Sequence, residues 1–165
     1  MVIERYVRQQ KRVDTSATRM LLPEIRSATD IPLDVKIVLT LKSDPRYLSL
    51  LRGVTADICG ELGLACEVID GVKLAVGEGV ANAMEHGSPN GMADSITVVF
   101  VKTEDGLRIE VIDQGPGVCM PVNTRRCRRR NRGFGLRLIR NLMDKVEFLD
   151  VPKGAHLVMT KRLLS

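Results

Sequence analysis

Glu78, Asn82 and His86 stand four residues apart in the stretch GEGVANAMEHG (77–87). At 100° per residue they fall within about 80° of arc on one helix. Val72, Ala75, Val76, Gly79, Val80 and Ala83 fill the neighbouring face, so an acid, an amide and an imidazole border an apolar stripe. Carboxylate and carboxamide oxygens one turn apart suit a hard cation such as Mg²⁺, which takes oxygen ligands and keeps several waters. An asparagine ligates without adding charge and leaves a nucleotide's phosphates to supply it. Glu78 equally suits a general base acting on a hydroxyl. A solvated helix face crossing the edge of a core is the plainer account of the same residues.

A second stretch, VIDQGPGV (111–118), ends a strand of Ile109, Val111 and Ile112 in Asp113, with Gly115 and Gly117 following. A carboxylate at the end of a buried strand accepts hydrogen bonds well, and the exocyclic amine of adenine is a fitting donor. Closely spaced glycines let backbone approach a ligand and adopt positive φ. An ordinary Asp-x-Gly turn would look the same. A third stretch, RGFGLRLIRNL (132–142), sets Gly133 and Gly135 where an arginine-rich segment meets a helix. Free amides at a helix N-terminus bind phosphate, with the helix dipole assisting; a glycine hinge before a helix is the bland alternative.

Positioning these residues takes a sequence of elements. LDVKIVLTL (33–41) alternates and is β-branched, a strand. Pro45 suits the first position of a helix running to Gly63, with Ser43 or Asp44 as its cap. The next helix spans about 67–85 and is stopped by Gly87 and Ser88-Pro89. Strands at about 95–102 and 107–112 flank a turn at Glu104-Asp105-Gly106. FGLRLIRNLMDKV (134–146) reads as a third helix with Leu136, Ile139, Leu142 and Met143 on one side. VEFLDV and AHLVMTKRLL are two further strands, turned at Pro152-Lys153-Gly154. The order β-α-α-β-β-loop-α-β-β predicts an α+β two-layer sandwich, a mixed β-sheet covered on one face by three helices. No internal repeat is evident. Residues 1–30 show weak periodicity and read as an N-terminal extension to which the sequence assigns no firm order; residues 31–165 read as the functional domain.

Composition bounds the classes. The chain has 165 residues, 44% hydrophobic and 27% charged, enough for one cored domain. No run approaches the roughly 18 apolar residues of a membrane span, and the charged N-terminus lacks a secretory pattern. Cys59, Cys66, Cys119 and Cys127 lack metal-type spacing, which suits a reducing, cytoplasmic setting. RRCRRRNR (125–132) holds six arginines, more than the whole chain's net +5. The remainder is therefore slightly acidic, and the electrostatic question concerns that loop. Its arginines suit bound phosphate, an acidic protein partner, nucleic acid, or plain solvation. With only 3% aromatic residues, stacking platforms are scarce and nucleic acid is disfavoured. Cys127 among those arginines would have a lowered pKa if exposed.

The ordered set E-x-x-x-N-A-x-x-H, D-x-G-x-G and R-G-x-G-L resembles the N, G1 and G2 boxes of the GHKL (Bergerat-fold) ATP-binding superfamily. LAVGEGVANAMEHGSP, RGFGLRLIRNLMDKVEF and the closing G-A-H-L-V-M-T-K-R-L resemble its branch of bacterial anti-sigma-factor serine/threonine kinases, of the RsbW and SpoIIAB type, over roughly residues 33–164. The resemblance implies the Bergerat ATP-binding fold, with ATP and Mg²⁺ as cofactors. Glu78 would be the general base for a partner's serine or threonine hydroxyl. Asn82 would hold Mg²⁺, and His86 matches the same box, where a hydrogen bond at a helix cap or in the core suits it better than catalysis. Asp113 would read the adenine amine, with Gly115 and Gly117 shaping its pocket. Gly133, Phe134, Gly135 and Leu136 would close over the phosphates, and Arg132 or Arg130 would sense the γ-phosphate. Gly154-Ala155 departs from the family's usual Gly-Thr, with Thr160 the nearest threonine in sequence.

The resemblance implies a cytoplasmic regulator of transcription: an anti-sigma factor that phosphorylates an anti-anti-sigma protein of the STAS type, sequesters a sigma factor, and forms a homodimer without a membrane. The alternative is a non-catalytic ATP-binding switch that regulates a partner by binding alone. Glu78 argues against that alternative, because mere binding needs no base; Ala155 argues mildly for it. The catalytic half of a histidine kinase would need a phosphoacceptor histidine in a dimerisation segment, and His86 and His156 both lie inside the ATP-binding region.

Overall fold

Period-two alternation builds the sheet. The computed structural model describes residues 36–115 and 134–163. Strands β1 (Lys36–Lys42), β2 (Ser95–Thr103), β3 (Gly106–Ile112), β4 (Lys145–Leu149) and β5 (His156–Lys161) form one sheet in the order β1-β2-β3-β5-β4. Ile96, Val98 and Phe100 of β2, Leu107, Ile109 and Val111 of β3, and Leu157 and Met159 of β5 enter one core. The intervening positions, including Thr97, Arg108, Glu110 and His156, belong to the opposite face, as the pleat requires.

Helices α1 (Tyr47–Glu61), α2 (Cys66–His86) and α3 (Phe134–Leu142) supply the second layer. Leu51, Ile58 and Cys59 of α1, Val72, Ala75, Val76, Val80 and Ala83 of α2, and Ile139 of α3 join the core of the inner sheet face. Val72, Val76 and Val80 are wholly buried, each worth about 1.5–3 kcal/mol of transfer free energy. The predicted apolar stripe of α2 is therefore its packing face. Gly79 lies on that stripe over the sheet: a Cβ there would stand 3.2 Å from Leu157 Cδ2 and 3.6 Å from Val111 Cγ2. Its missing side chain lets α2 press close to β3 and β5, the strands that carry the rest of the candidate site.

The two-layer α+β sandwich is the one read from the sequence. Every pairing among the described strands is antiparallel, where a mixed sheet was expected. The connections explain this. Two helices lie between β1 and β2, so the chain reverses three times, an odd number, and returns antiparallel; β2–β3 and β4–β5 are hairpins. The first hairpin turns through Glu104-Asp105, with Thr103 opposite Gly106.

Two local expectations are revised. α3 stops at Leu142 rather than Val146. Met143 N–H still reaches Ile139 C=O at 3.0 Å, but Asp144 N–H turns to Thr160 C=O at 3.0 Å. Lys145 to Leu149 then pair with β5, so sheet pairing overrides the helical period there. The predicted cap of α1 also shifts. The helix begins at Tyr47, its N-cap residue is Arg46, and no side chain caps it. Asp44 instead accepts from Arg46 N–H at 3.0 Å and Arg46 Nε at 2.8 Å, and these hydrogen bonds hold its pKa below the ordinary value.

The proposed extension 1–30 lies outside the described residues, as do Gly117, Arg130, Arg132, Gly133, Cys119, Cys127 and the arginine-rich segment.

Candidate functional site

The described residues of the three motifs come together where α2 ends over β3 and β5. Glu78 and Asn82 are half-buried and lie one turn apart on α2. Among the described residues neither side chain has a hydrogen-bonding or ionic partner. His86 is the last residue of α2. Its side chain is exposed, with Nε2 3.8 Å from Glu85 Oε1. Its carbonyl borders Gly115: a Cβ on that glycine would lie 3.1 Å from His86 O. Among the described residues the His86 side chain therefore makes no core hydrogen bond.

Asp113 follows the last residue of β3 and is only 8% exposed. Its Oδ1 accepts two backbone N–H groups, from Gly115 and from Ala155, each at 2.9 Å. Its own N–H donates to Ala155 C=O at 3.1 Å. The carboxylate is thus clamped between its own turn and the start of β5. No described residue donates to Oδ2, so the second oxygen is available to a ligand's donor.

Three glycines make room for this carboxylate. A Cβ on Gly87 would overlap Cγ and Oδ2 of Asp113. A Cβ on Gly154 would overlap the Asp113 carbonyl, and its φ of +83° is one that side-chain-bearing residues rarely adopt. A Cβ on Gly115 would lie 2.6 Å from Gly87 Cα. Gly115 is not among the positive-φ glycines, so this position needs space rather than the unusual dihedral expected of it. Sequence reading took Gly87 as a helix stop and Gly154 as a turn. Neither local role signals contact with Asp113.

The third motif meets the first. Gly135, second residue of α3, packs against Glu78: a Cβ there would overlap Oε1 and lie 2.9 Å from Cδ. Leu136 is half-buried, and Phe134 is 80% exposed. The start of α3 thus adjoins the unpartnered carboxylate on α2.

The residues present fit a nucleotide with a metal. Asp113 offers a fixed acceptor, held among glycines whose side-chain-bearing replacements would collide with it or with each other. Among the described residues no group of three or more His, Cys, Asp or Glu could hold a metal, so a cation here depends on one amide, waters and phosphate oxygens, a set that suits Mg²⁺. Thr160 cannot stand in for the missing threonine. It pairs with Arg108 and Lys145, at the other end of β5 from Ala155. A cavity of 440 Å³ at that far end, bordered by Arg108, Asp144, Lys145, Glu147 and Thr160, is separate from the Asp113 cluster.

Comparison with known proteins decides the family. The histidine kinase-like ATPase domain matches residues 41–161. The chain belongs to that family. It is 32% identical over 136 residues to the serine-protein kinase RsbW of Listeria monocytogenes serovar 1/2a, spanning 76% of this chain and 86% of that protein. It is 31% identical over 137 residues to the anti-sigma F factor of Clostridium acetobutylicum, spanning 79% and 95%. These relatives set it in the anti-sigma kinase branch of the GHKL proteins. Among solved structures, the RsbU and RsbW domains of a Mycobacterium tuberculosis protein superpose with a TM-score of 0.59 at 22% identity, over 77% of this chain and 32% of that one. The histidine kinase domain of an Erythrobacter litoralis blue-light-activated kinase gives 0.51 at 19%, over 74% and 61%. These two likenesses bear on the fold, which is that of the histidine kinase-like ATPases. Among the described residues no helix is long and apolar enough to cross a membrane.

Proposed function

We propose that this GHKL protein is an ATP-dependent serine/threonine kinase acting as a cytoplasmic anti-sigma factor. It phosphorylates a STAS-type anti-anti-sigma protein, which releases that antagonist and frees the kinase to sequester a sigma factor. The observation that carries the reading is the contact of Gly135 with Glu78. It sets the Glu78 carboxylate, which has no partner among the described residues, beside the helix start expected to face phosphate.

Glu78 accepts the proton from the partner's serine or threonine oxygen as that oxygen attacks the γ-phosphorus. The bond from phosphorus to the β–γ bridging oxygen breaks, and ADP leaves with the electron pair. Little covalent work falls to the protein; positioning and charge neutralisation do most of it. Asp113 accepts from the adenine amine through its open oxygen. Gly115 and Gly117 shape that end of the pocket. Gly133, Phe134, Gly135 and Leu136 close over the phosphates, with Arg132 or Arg130 against the γ-phosphate and His86 at the rim. Mg²⁺, held by Asn82, would neutralise phosphate charge during transfer. The homodimer implied by the family resemblance is part of this reading.

Ala155 weighs less toward a binding-only switch than its departure from Gly-Thr implies. Its backbone, not a side chain, holds Asp113 on both sides. The test is transfer of radiolabelled phosphate from ATP to the matching antagonist. Transfer abolished by Glu78→Ala, with ATP binding retained, supports the kinase. Binding without any transfer by the unmodified protein supports the binding-only switch, and transfer that persists in Glu78→Ala refutes the base assignment.

A further inference from the structure

A polar pair on the outer sheet face lies just behind the nucleotide-reading carboxylate. His156 donates Nε2–H to Glu110 Oε2 at 2.7 Å, and each side chain is only 16% exposed. Arg108 Nε stands 2.9 Å from the other oxygen, Glu110 Oε1. The directly opposite neighbours are apolar, Val99 on β2 and Val158 on β5 for Glu110, and Ile112 and Leu149 for His156, with Thr97 and Glu147 on the diagonals. Val99 and Val158 are both 4% exposed. A hydrogen bond in such surroundings is stronger than one in water, and its loss leaves a costly unpaired group.

The pair is a diagonal cross-strand tie, joining β3 to the first residue of β5. The next contacts toward the site are the two hydrogen bonds between Asp113 and Ala155. Immediately before them the chain swings through Gly154 at φ +83°. Among the described residues, Glu110–His156 is therefore the side-chain-to-side-chain tie nearest to the point where Ala155 N–H meets Asp113 Oδ1. Without it, the end of the ladder rests on backbone pairing and that one carboxylate contact beside a glycine turn.

We infer that Glu110 and His156 are positioning residues for nucleotide recognition. Through β5 they fix Ala155, and through Ala155 they fix the Asp113 carboxylate. They touch neither nucleotide nor substrate, and they substitute for the side-chain support that Ala155 does not provide. This inference rests on Asp113 as the adenine reader. It predicts an effect on nucleotide affinity and selectivity rather than on the transfer step.

The experiment is calorimetric titration of the full-length protein with ATP and with GTP in the presence of Mg²⁺. It compares wild type, His156→Thr, Glu110→Leu, Glu110→Gln and Asp113→Asn, with thermal unfolding of each without nucleotide. Threonine suits a strand but is too short to reach Glu110. His156→Thr and Glu110→Leu should each weaken ATP binding about tenfold, the loss of one good hydrogen bond's worth of alignment, and narrow the preference for ATP over GTP. Glu110→Gln, which can still hydrogen-bond His156, should stay within about threefold of wild type. At saturating ATP, transfer by His156→Thr should stay within about twofold, because the perturbed step is binding. Should Glu110→Leu not fold, His156→Thr carries the same test. ATP affinity in His156→Thr equal to wild type, or lost equally in Glu110→Gln, overturns the inference. Unchanged ATP binding in Asp113→Asn would instead overturn the adenine assignment itself. Binding lost in Asp113→Asn and kept in His156→Thr sinks only the positioning role.

Discussion

Replacing Gly135 by alanine separates catalysis from folding at this site. The added methyl would overlap Glu78 Oε1 and stand 2.9 Å from Cδ and 3.0 Å from Cγ. Ordinary contact between such atoms is about 3.5 Å, so the carboxyl carbon must retreat by roughly 0.6 Å and its oxygen further. The cheapest relief is rotation of the Glu78 side chain, because α2 is anchored by Val76, Gly79 and Val80 in the core. That rotation moves the proposed base and leaves the helices in place. A misplacement of about 1 Å in a positioned catalytic group lowers turnover by about 100-fold, the lower end of the 10²–10⁴ that a general base contributes. Stability should not fall in parallel, since exchanging glycine for alanine within a helix favours the helix by about 0.5–1 kcal/mol. The assay is single-turnover phosphate transfer at saturating ATP, with thermal unfolding alongside. The expected result is transfer slowed about 100-fold at an equal or higher Tm. Turnover within threefold of wild type would refute the argument that this contact sets the position of Glu78; a large drop in Tm would show that α3 rather than Glu78 gives way.

Three further outcomes follow from the same geometry. Asp113→Ala leaves the Gly115 and Ala155 amides without their acceptor, which should cost about 2–4 kcal/mol, read as a lower urea midpoint. Asp94, whose pKa is lowered by its side-chain and backbone hydrogen bonds from Asn90, contributes stability that is present above the ordinary carboxylate pKa and is lost as pH falls through the lowered folded value. Urea midpoints of Asp94→Asn should therefore lie below wild type at neutral pH and converge with it in acid; a constant gap down to about pH 2 would contradict this linkage. Burial pushes the Cys59 thiol up to about 12, whereas Cys66 is exposed at the start of α2. Peptide mapping after brief alkylation at pH 8 should find Cys66 modified and Cys59 intact, and equal labelling would contradict the packing of α1.

Local pattern carries far in this chain, and its failures have a common cause. The stripe Val72, Ala75, Val76, Val80 and Ala83 is helical in period and is buried as that period requires. The strands expected at about 95–102 and 107–112 are β2 and β3, and their alternation buries Ile96, Val98, Phe100, Leu107, Ile109 and Val111. The failures lie at ends. The end expected of α3 became part of β4, because Val146 fits a helix's spacing with Leu142 and Met143 as well as a strand's alternation with Phe148, and β5 offers a partner. The capping role expected of Ser43 or Asp44 dissolved, because Arg46 hydrogen-bonds the Asp44 carboxylate before the helix begins. At ends, a few tenths of a kcal/mol of propensity compete with a tertiary contact worth about 1 kcal/mol, and the contact wins.

The site was legible as three motifs but not as one enclosure. Glu78, Asn82 and Asp113 announce themselves by chemical type, since acids and amides beside apolar runs are out of place. The glycines that surround them do not. Gly87 and Gly154 each have a sufficient local explanation, as a helix stop and as a turn, and nothing in sequence spacing shows that both pack against Asp113, one on its carboxylate and the other on its backbone carbonyl. Gly135 has a local explanation too, as a hinge, yet its tertiary role is to leave room for Glu78. Missing side chains leave no hydrophobic period and no charge pattern, so the space they create becomes visible only when the neighbours are in place. The same holds for Glu110 and His156, 46 residues apart in the chain and unremarkable singly. Polar recognition groups can be found by what they are, whereas the recesses and ties that aim them depend on register between β3 and β5, a property of the paired strands.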